Sequence, residues 1–177
     1  MNLPPAYAWL ESEASPLPKM IAGALSFYGL HEAPGGKDNS VILGWAKELN
    51  LPNYKSDDTP WCGLFMAKIA KDAGKVYPGA PLWARNWMLF GSASATPMLG
   101  DVLVFNRPGG GGHVGLYVGE DADAFHVLGG NEGDAVSIVR MARARLLAAR
   151  RPAYRVQPAS VRVIKLAPSG ALSTNEG

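Results

Sequence analysis

Hydrophobic residues recur with a helical period in the first half of the chain and alternate with polar or small residues in the second half. The period of 3.6 residues predicts amphipathic helices over residues 17–30 and 40–49. A third helix is expected after Thr59-Pro60 and up to Gly74, since Thr is a favourable N-cap, Pro suits the first helical turn and Gly ends helices. A short fourth helix is predicted over residues 83–90.

Short apolar runs separated by turn residues follow after residue 100 and predict an antiparallel sheet. The predicted strands cover residues 101–105, 113–118, 124–128, 135–139 and 146–154. Residues 161–166 are one further candidate strand, near the end of the chain. Because the helices come first and the strands follow, we predict the α+β class, with N-terminal helices packed on a C-terminal antiparallel β-sheet.

Composition favours one globular domain with a substantial core. The chain has 177 residues, of which 47% are hydrophobic and 18% are charged, too small a charged fraction for a disordered chain. We expect one domain over residues 1–157 and a C-terminal strand or tail over residues 158–177. The first residues lack the basic and apolar segments of a signal peptide, so we expect synthesis in the cytoplasm.

Cys62 is the only cysteine of the chain and lies in the segment Thr59-Pro60-Trp61-Cys62-Gly63. A single thiol cannot form an intramolecular disulfide, which leaves a buried filler or a reactive group. With Thr59 as N-cap, Cys62 would be the third residue of its helix, where the macrodipole favours the thiolate. We therefore expect a thiol pKa below the ordinary value of about 8.5. Since Cys62 shares the apolar stripe of its helix, its sulfur should point inward.

His113 begins a predicted strand directly after the glycine-rich run 108–112. Gly115 lies on the same strand face as His113, and we expect its missing side chain to let the cysteine helix approach. Such an approach would place His113 beside Cys62, where it could act as the base for a cysteine nucleophile. The alternative is that the glycines form a flexible turn and His113 is an ordinary strand residue.

Short segments of the chain occur in a characteristic order: WCGLF at residues 61–65, GDVLVF at 100–105, GHVGLYVG at 112–119 and LGGN at 128–131. Together they resemble the papain-like cell-wall peptidases of the NlpC and CHAP type, in particular a phage and prophage branch. The resemblance covers roughly residues 19–156. It implies a papain-like core and a cysteine hydrolase that cuts peptidoglycan stem peptides or the amide joining them to muramic acid, with no metal or other cofactor.

The resemblance also implies a third, polar residue that orients the histidine. CHAP-like members carry an amide at the end of the next strand, here Asn131, whereas NlpC members often use a histidine nearer the middle of that strand, here His126. The predicted catalytic residues are therefore Cys62, His113 and Asn131, with His126 as the alternative third residue. An asparagine oxygen could accept from one imidazole nitrogen and leave the other facing the thiol.

Trp61 and Asp58, close before the cysteine, are the predicted substrate contacts. Asp57 and Asp58 could bind a substrate amine, or they could be solvated loop charges. We expect no metal site: Glu48, Asp101 and Glu132 show no ligand spacing, and the alternative of a zinc site from Cys62, His113 and His126 would need a fourth ligand that the sequence does not mark. Gly109 to Gly112 lack the Lys-Ser/Thr ending of a phosphate loop.

Charge is mild overall, with a net charge of +2, but arginines crowd into residues 140–155. This crowding predicts a positive face that attracts anionic wall polymers; the alternative is a strand whose arginines happen to face outward. No nucleic-acid fold signature is present. We expect a monomer that binds bacterial peptidoglycan, without nucleic-acid binding or stable membrane insertion.

The function expected from these features is peptidoglycan hydrolysis by an endopeptidase or an N-acetylmuramoyl-L-alanine amidase, with a phage endolysin as the closest fit. Such an enzyme would reach the periplasm or cell wall only after release from the host cytoplasm. One alternative is a non-catalytic virion or tail component that keeps the fold and binds the wall. Another is a Cys-His acyltransferase in which an amine replaces water.

Overall fold

The computed structural model describes residues 3–12, 16–108 and 110–174. Three of the regions considered above therefore lie partly outside the described residues: the start of the chain, the glycine run at Gly109, and the last three residues of the tail. The fold is α+β, as predicted, with helices packed against a six-stranded antiparallel sheet. The helices are α1 (Trp9–Ser12), α2 (Lys19–Leu25), α3 (Ser40–Glu48) and α4 (Cys62–Asp72), with 3-10 helices at Pro5–Tyr7, Ala84–Leu89 and Arg143–Arg145.

The strands form one sheet in the order β1-β6-β2-β3-β4-β5, and every neighbouring pair is antiparallel. They are β1 (Ser92–Ala93), β2 (Val102–Asn106), β3 (Gly112–Glu120), β4 (Ala124–Gly129), β5 (Ser137–Ala142) and β6 (Leu146–Arg151). The central strands β2, β3 and β4 are buried along almost their whole length. The sheet therefore provides a rigid support for residues at its strand ends.

Several predicted elements are shifted in the structure: the strand predicted over residues 146–154 ends at Arg151, and the helix predicted over residues 83–90 is a 3-10 helix at Ala84–Leu89. Two further shifts have a local reason. Helix α2 ends at Leu25 instead of residue 30, because the following residues form turns and Gly29 adopts a left-handed φ of 84°. Strand β5 starts at Ser137, because the residues before it bond elsewhere. The Gly29 N–H donates to the Val136 carbonyl at 2.9 Å, and the Val136 N–H donates to the Leu30 carbonyl at 2.8 Å.

A cluster of aromatic rings fixes the start of α4. Trp61 is completely buried, and its ring lies 6.1 Å from that of Trp45 and 6.3 Å from that of Phe65. On the other side the cluster meets the end of the sheet, where a Cβ at Gly130 would lie 2.5 Å from the Trp61 ring. Only glycine permits this approach, so the aromatic cluster sets the position of Cys62 relative to β4.

Residues 158–174 pack back onto the sheet. Val161 and Ile164 are buried, and the Tyr117 hydroxyl donates to the Ile164 carbonyl at 3.2 Å. The predicted strand over residues 161–166 is reduced to one parallel bridge between Lys165 and Glu120. No helix in the described part of the chain has the length and apolar character needed to cross a membrane.

Candidate active site

Helix α4 begins at Cys62, with Trp61 in the N-cap position and no side chain capping it. The prediction that Thr59 caps the helix and that Cys62 is its third residue is therefore wrong. Thr59 instead belongs to the preceding turn, where its N–H donates to the Ser56 carbonyl and its own carbonyl accepts from the Tyr54 hydroxyl. Cys62 thus has the most N-terminal position in the helix, where backbone N–H groups lack helical acceptors.

The Cys62 thiol is buried, with only 3% of the residue exposed. Burial raises its pKa to about 11, although the backbone N–H groups of Val114 and Gly63 hydrogen-bond to the sulfur and the charge of Arg107 favours the thiolate. The prediction of a lowered thiol pKa is wrong for this resting state, because loss of hydration outweighs the helix-terminal effects. The bond from Val114, the residue after His113, places the sulfur against the start of β3.

His113 is fully buried near the start of β3, where it pairs across the ladder with Phe105. Its Nε2 lies 2.9 Å from Oε1 of Glu132, and both side chains are completely shielded from solvent. An imidazole N–H that donates to a carboxylate is held in one tautomer and one orientation. The structure therefore identifies Glu132 as the residue that orients His113.

Asn131 is not the partner of His113. It is buried, has a left-handed φ of 59°, and its Oδ1 has no hydrogen-bond partner within the described residues. The turn after β4 carries the chain past Asn131 and brings Glu132 back over the sheet, where the Glu132 N–H donates to the Ala135 carbonyl at 3.0 Å. The predicted role belongs to the next residue along the chain.

Two glycines make room for the Glu132 carboxylate. A Cβ at Gly129 would lie 2.5 Å from Oε1 of Glu132, and one at Gly115 would lie 3.5 Å from the same oxygen. The expectation that Gly115 lets the cysteine helix approach is therefore wrong, since that space is occupied by Glu132 and by Val127 of β4. An acid directly after LGGN, with glycines across the ladder, was the signal in the sequence that could have revealed Glu132.

His126 lies in a separate network on β4. Its Nδ1 accepts from the Tyr7 hydroxyl at 2.7 Å, and its Nε2 lies 2.8 Å from Oδ2 of Asp121. Arg140 also donates to both oxygens of Asp121, at 2.8 and 3.0 Å. This arrangement occupies both imidazole nitrogens, so the structure does not support His126 as the third catalytic residue.

The two predicted substrate contacts have different surroundings. Trp61 is fully buried and its Nε1 donates to Glu32, so it lines no surface cleft in this structure, and its contact with a substrate stays a prediction. Asp58 is exposed in the loop before α4 and stays a predicted contact. Its neighbour Asp57 is completely buried and accepts from the backbone N–H groups of Ala33 and Asn39 at 3.1 and 2.8 Å. Asp57 therefore holds the loop in place.

The backbone segment at Pro81 and Leu82 lies against the start of α4. A Cβ at Gly63 would collide with the Pro81 carbonyl and lie 2.8 Å from the Leu82 carbonyl. The Trp87 indole, which is buried, donates to the same Pro81 carbonyl at 2.9 Å and fixes the segment from below. Pro81 and Leu82 therefore pack directly on the residue that follows Cys62.

The positive face predicted for residues 140–155 stays a prediction, and the structure shows what several of its arginines bind. Arg151 donates to both carboxylate oxygens of Asp101, and Arg150 donates to the carbonyls of Phe90 and Gly91. Like Arg140, these side chains bind the protein itself. Burial and the neighbouring acids raise the pKa of Glu32, which accepts from the Trp61 indole.

The site contains a buried thiol at the start of α4, an imidazole at the start of β3, and a carboxylate that orients the imidazole. Nucleophilic catalysis at a carbonyl uses this set of groups. No group of three or more His, Cys, Asp or Glu side chains is placed to hold a metal ion in the part of the chain described here. Comparison with protein-family models gave no match, and comparison with curated proteins gave none.

Proposed function

We propose that the chain is a cysteine hydrolase that cleaves an amide bond of peptidoglycan. The observation that carries the proposal is the buried group of Cys62, His113 and Glu132. The backbone N–H of Val114, the residue after the histidine, hydrogen-bonds to the sulfur, and the imidazole bonds to the carboxylate. The chemistry of amide attack follows from these side chains. Peptidoglycan as the substrate follows from the resemblance of the WCGLF, GHVGLYVG and LGGN segments to NlpC and CHAP peptidases.

The thiol is neutral in the resting site, because its pKa is raised to about 11. His113 takes the thiol proton as the sulfur attacks the amide carbonyl, so the C–S bond forms while the imidazole becomes a cation. The N–H of Cys62, at the first position of α4, has no helical acceptor and is the donor that stabilises the tetrahedral oxyanion in this mechanism.

The imidazolium then gives its proton to the nitrogen of the leaving amine as the C–N bond breaks and a thioester forms. Water attacks the thioester with His113 again as the base, which releases the new carboxylate and restores the thiol. Glu132 keeps the same imidazole nitrogen bonded throughout, and its carboxylate stabilises the cation that forms on His113.

The proposal is tested with purified bacterial sacculi and three chains: the native protein, Cys62→Ala and Cys62→Ser. We expect the native protein to reduce the turbidity of the sacculi, and both variants to lose this activity while they sediment with sacculi as the native protein does. Circular dichroism and thermal unfolding establish that the variants are folded. Equal loss of turbidity with all three chains would contradict a catalytic role for Cys62.

The burial of the site favours a second candidate, a wall-binding component without catalytic activity. Cys62 is 3% exposed, and the side chains of His113 and Glu132 have no exposed area, so a substrate reaches the thiol only if the residues that cover it move. For this candidate the native protein and both cysteine variants bind sacculi equally and none reduces their turbidity. The same experiment therefore separates the two functions.

A further inference from the structure

Arg107 opens the turn that leads from β2 to His113. Phe105 pairs with His113 across the ladder, and Asn106 pairs with Gly112, so Arg107 is the first residue beyond the paired ends of the two strands. It is half-buried at this position. The turn therefore carries an arginine two residues beyond the ladder partner of the proposed base.

The turn is held in place by a second arginine. Arg85, on the 3-10 helix at Ala84–Leu89, donates from Nε to the Gly111 carbonyl at 2.8 Å and from its terminal nitrogen to Oδ1 of Asn106 at 2.8 Å. The Gly110 N–H also donates to the Arg107 carbonyl at 3.1 Å. These contacts hold the backbone at Arg107 in place, which restricts the positions that its guanidinium can reach.

The Arg107 guanidinium has no hydrogen bond or ion pair with any residue that the structure describes. Other arginines donate to carbonyls or carboxylates of the protein: Arg85, Arg140, Arg143, Arg145, Arg150 and Arg151. The charge of Arg107 also reaches the thiol, since it lowers the pKa of Cys62 against the larger effect of burial. Arg107 is thus a half-buried cation at the turn before β3, and its guanidinium donors are not used by the described part of the protein.

We infer that Arg107 binds a carboxylate of the substrate close to the scissile amide, and that the preferred substrates are acidic wall peptides. A guanidinium presents parallel N–H donors that match the two oxygens of a carboxylate. This inference rests on the proposed function for the identity of the substrate as a wall peptide. It adds a specificity: peptides with free carboxylates bind better than the same peptides with carboxamides.

The test uses two synthetic stem peptides of one sequence, the first with free carboxyl groups and the second with those groups converted to carboxamides. Binding of each peptide to the Cys62→Ala chain is measured by calorimetry, with and without Arg107→Gln. We expect the free acid to bind about 10- to 100-fold more tightly than the amide, and Arg107→Gln to abolish this preference. Arg107→Lys should retain part of it, because the charge remains and the fork is lost.

Arg155→Gln in the same background is the matched control, since it removes one positive charge from an exposed arginine outside the site. It should leave the preference intact. Equal affinity for the two peptides, no binding of either, or a preference that survives Arg107→Gln would overturn the inference. Cleavage of the peptides by the native chain is measured separately, so a protein that binds through Arg107 without cutting refutes the proposed function and keeps the inference.

Discussion

Single residues without side chains matter as much to the site as its polar groups. Gly129 and Gly115 leave the space that the Glu132 carboxylate occupies, and Gly63 lets the Pro81 carbonyl rest on the start of α4. At each of these positions an added Cβ would come close to atoms of Glu132 or to the backbone at Pro81 and Leu82. The geometry of Cys62 and His113 therefore depends on close contacts between elements that come from distant parts of the chain.

Gly129→Ala should displace Glu132 from His113. The new Cβ would lie 2.5 Å from Oε1 of Glu132 and 3.3 Å from Nε2 of His113, so the carboxylate must move. We expect at least about a 100-fold loss of sacculus hydrolysis, because the imidazole loses its orienting partner. Gly44→Ala on α3, where nothing lies within 4 Å, is the control and should keep native activity. Native activity of Gly129→Ala would contradict the role of this space.

A pair of substitutions distinguishes the role of Glu132 from that of Asn131. Glu132→Gln keeps an acceptor for His113 and removes the charge that stabilises the imidazolium, so we expect kcat to fall by about 10²–10⁴. Asn131→Gly keeps the left-handed backbone at φ 59° and removes the amide, so the His113–Glu132 bond and most of kcat should persist. A large loss of kcat with Asn131→Gly and little loss with Glu132→Gln would instead indicate that Asn131 orients His113.

At the scale of elements, a buried network joins the N-terminal segment to β4 and β5. The Tyr7 hydroxyl, His126, Asp121 and Arg140 form one chain of hydrogen bonds, and Arg140 also donates to the Gly170 carbonyl at 2.6 Å. Burial lowers the pKa of His126, whereas the Arg140 guanidinium holds the pKa of Asp121 well below its usual range. The network is therefore in its most stable form with His126 neutral and Asp121 charged.

Stability should decline between pH 7 and pH 5 because of His126. Its folded pKa lies below the unfolded value near 6.5, so the unfolded chain binds more protons as the pH falls and the stabilisation present above pH 6.5 is lost. Urea unfolding from pH 8 to pH 5 should show a smaller decline for His126→Gln than for the native chain. The control His31→Gln, at an exposed histidine, should follow the native curve. Parallel curves for native and His126→Gln chains would contradict this account.

Sequence patterns predict the parts of this protein that are periodic or local. The order of helices and strands, and the placement of Cys62 at a helix start and His113 at a strand start, follow from spacing and turn residues. Glu132 was missed because its position depends on the backbone of a turn whose residues have left-handed φ values, which no hydrophobic period records. The raised thiol pKa was missed because the burial of Cys62 depends on tertiary packing, which the local signals of a helix start do not record.

At the scale of the whole molecule, the last described residues complete the fold. Ile164 is buried against β3, and the Ser160 hydroxyl donates to the Pro16 carbonyl at 2.6 Å. The segment near the C-terminus therefore packs against both the sheet and the N-terminal part of the chain. The sheet that carries His113 is thus supported by a segment that the sequence pattern placed outside the main domain.

Ile164→Ala should destabilise the whole protein, since it leaves a cavity beside β3. We expect a loss of about 2–5 kcal/mol in the free energy of unfolding, measured with urea. Val156→Ala, at a side chain that is 84% exposed, is the control and should change stability by less than about 0.5 kcal/mol. Similar small effects at both positions would show that residues 158–174 contribute little to the free energy of unfolding.

The most direct test of the central claim is mass spectrometry of the soluble fragments that the native protein and Cys62→Ala release from purified peptidoglycan. The account predicts fragments from the native protein alone, with a new amine and a new carboxylate at the cut amide. Their masses would also distinguish hydrolysis from transfer to another amine. Fragments released equally by both proteins, or by neither when both are folded and bound to the wall, would contradict cysteine-dependent hydrolysis.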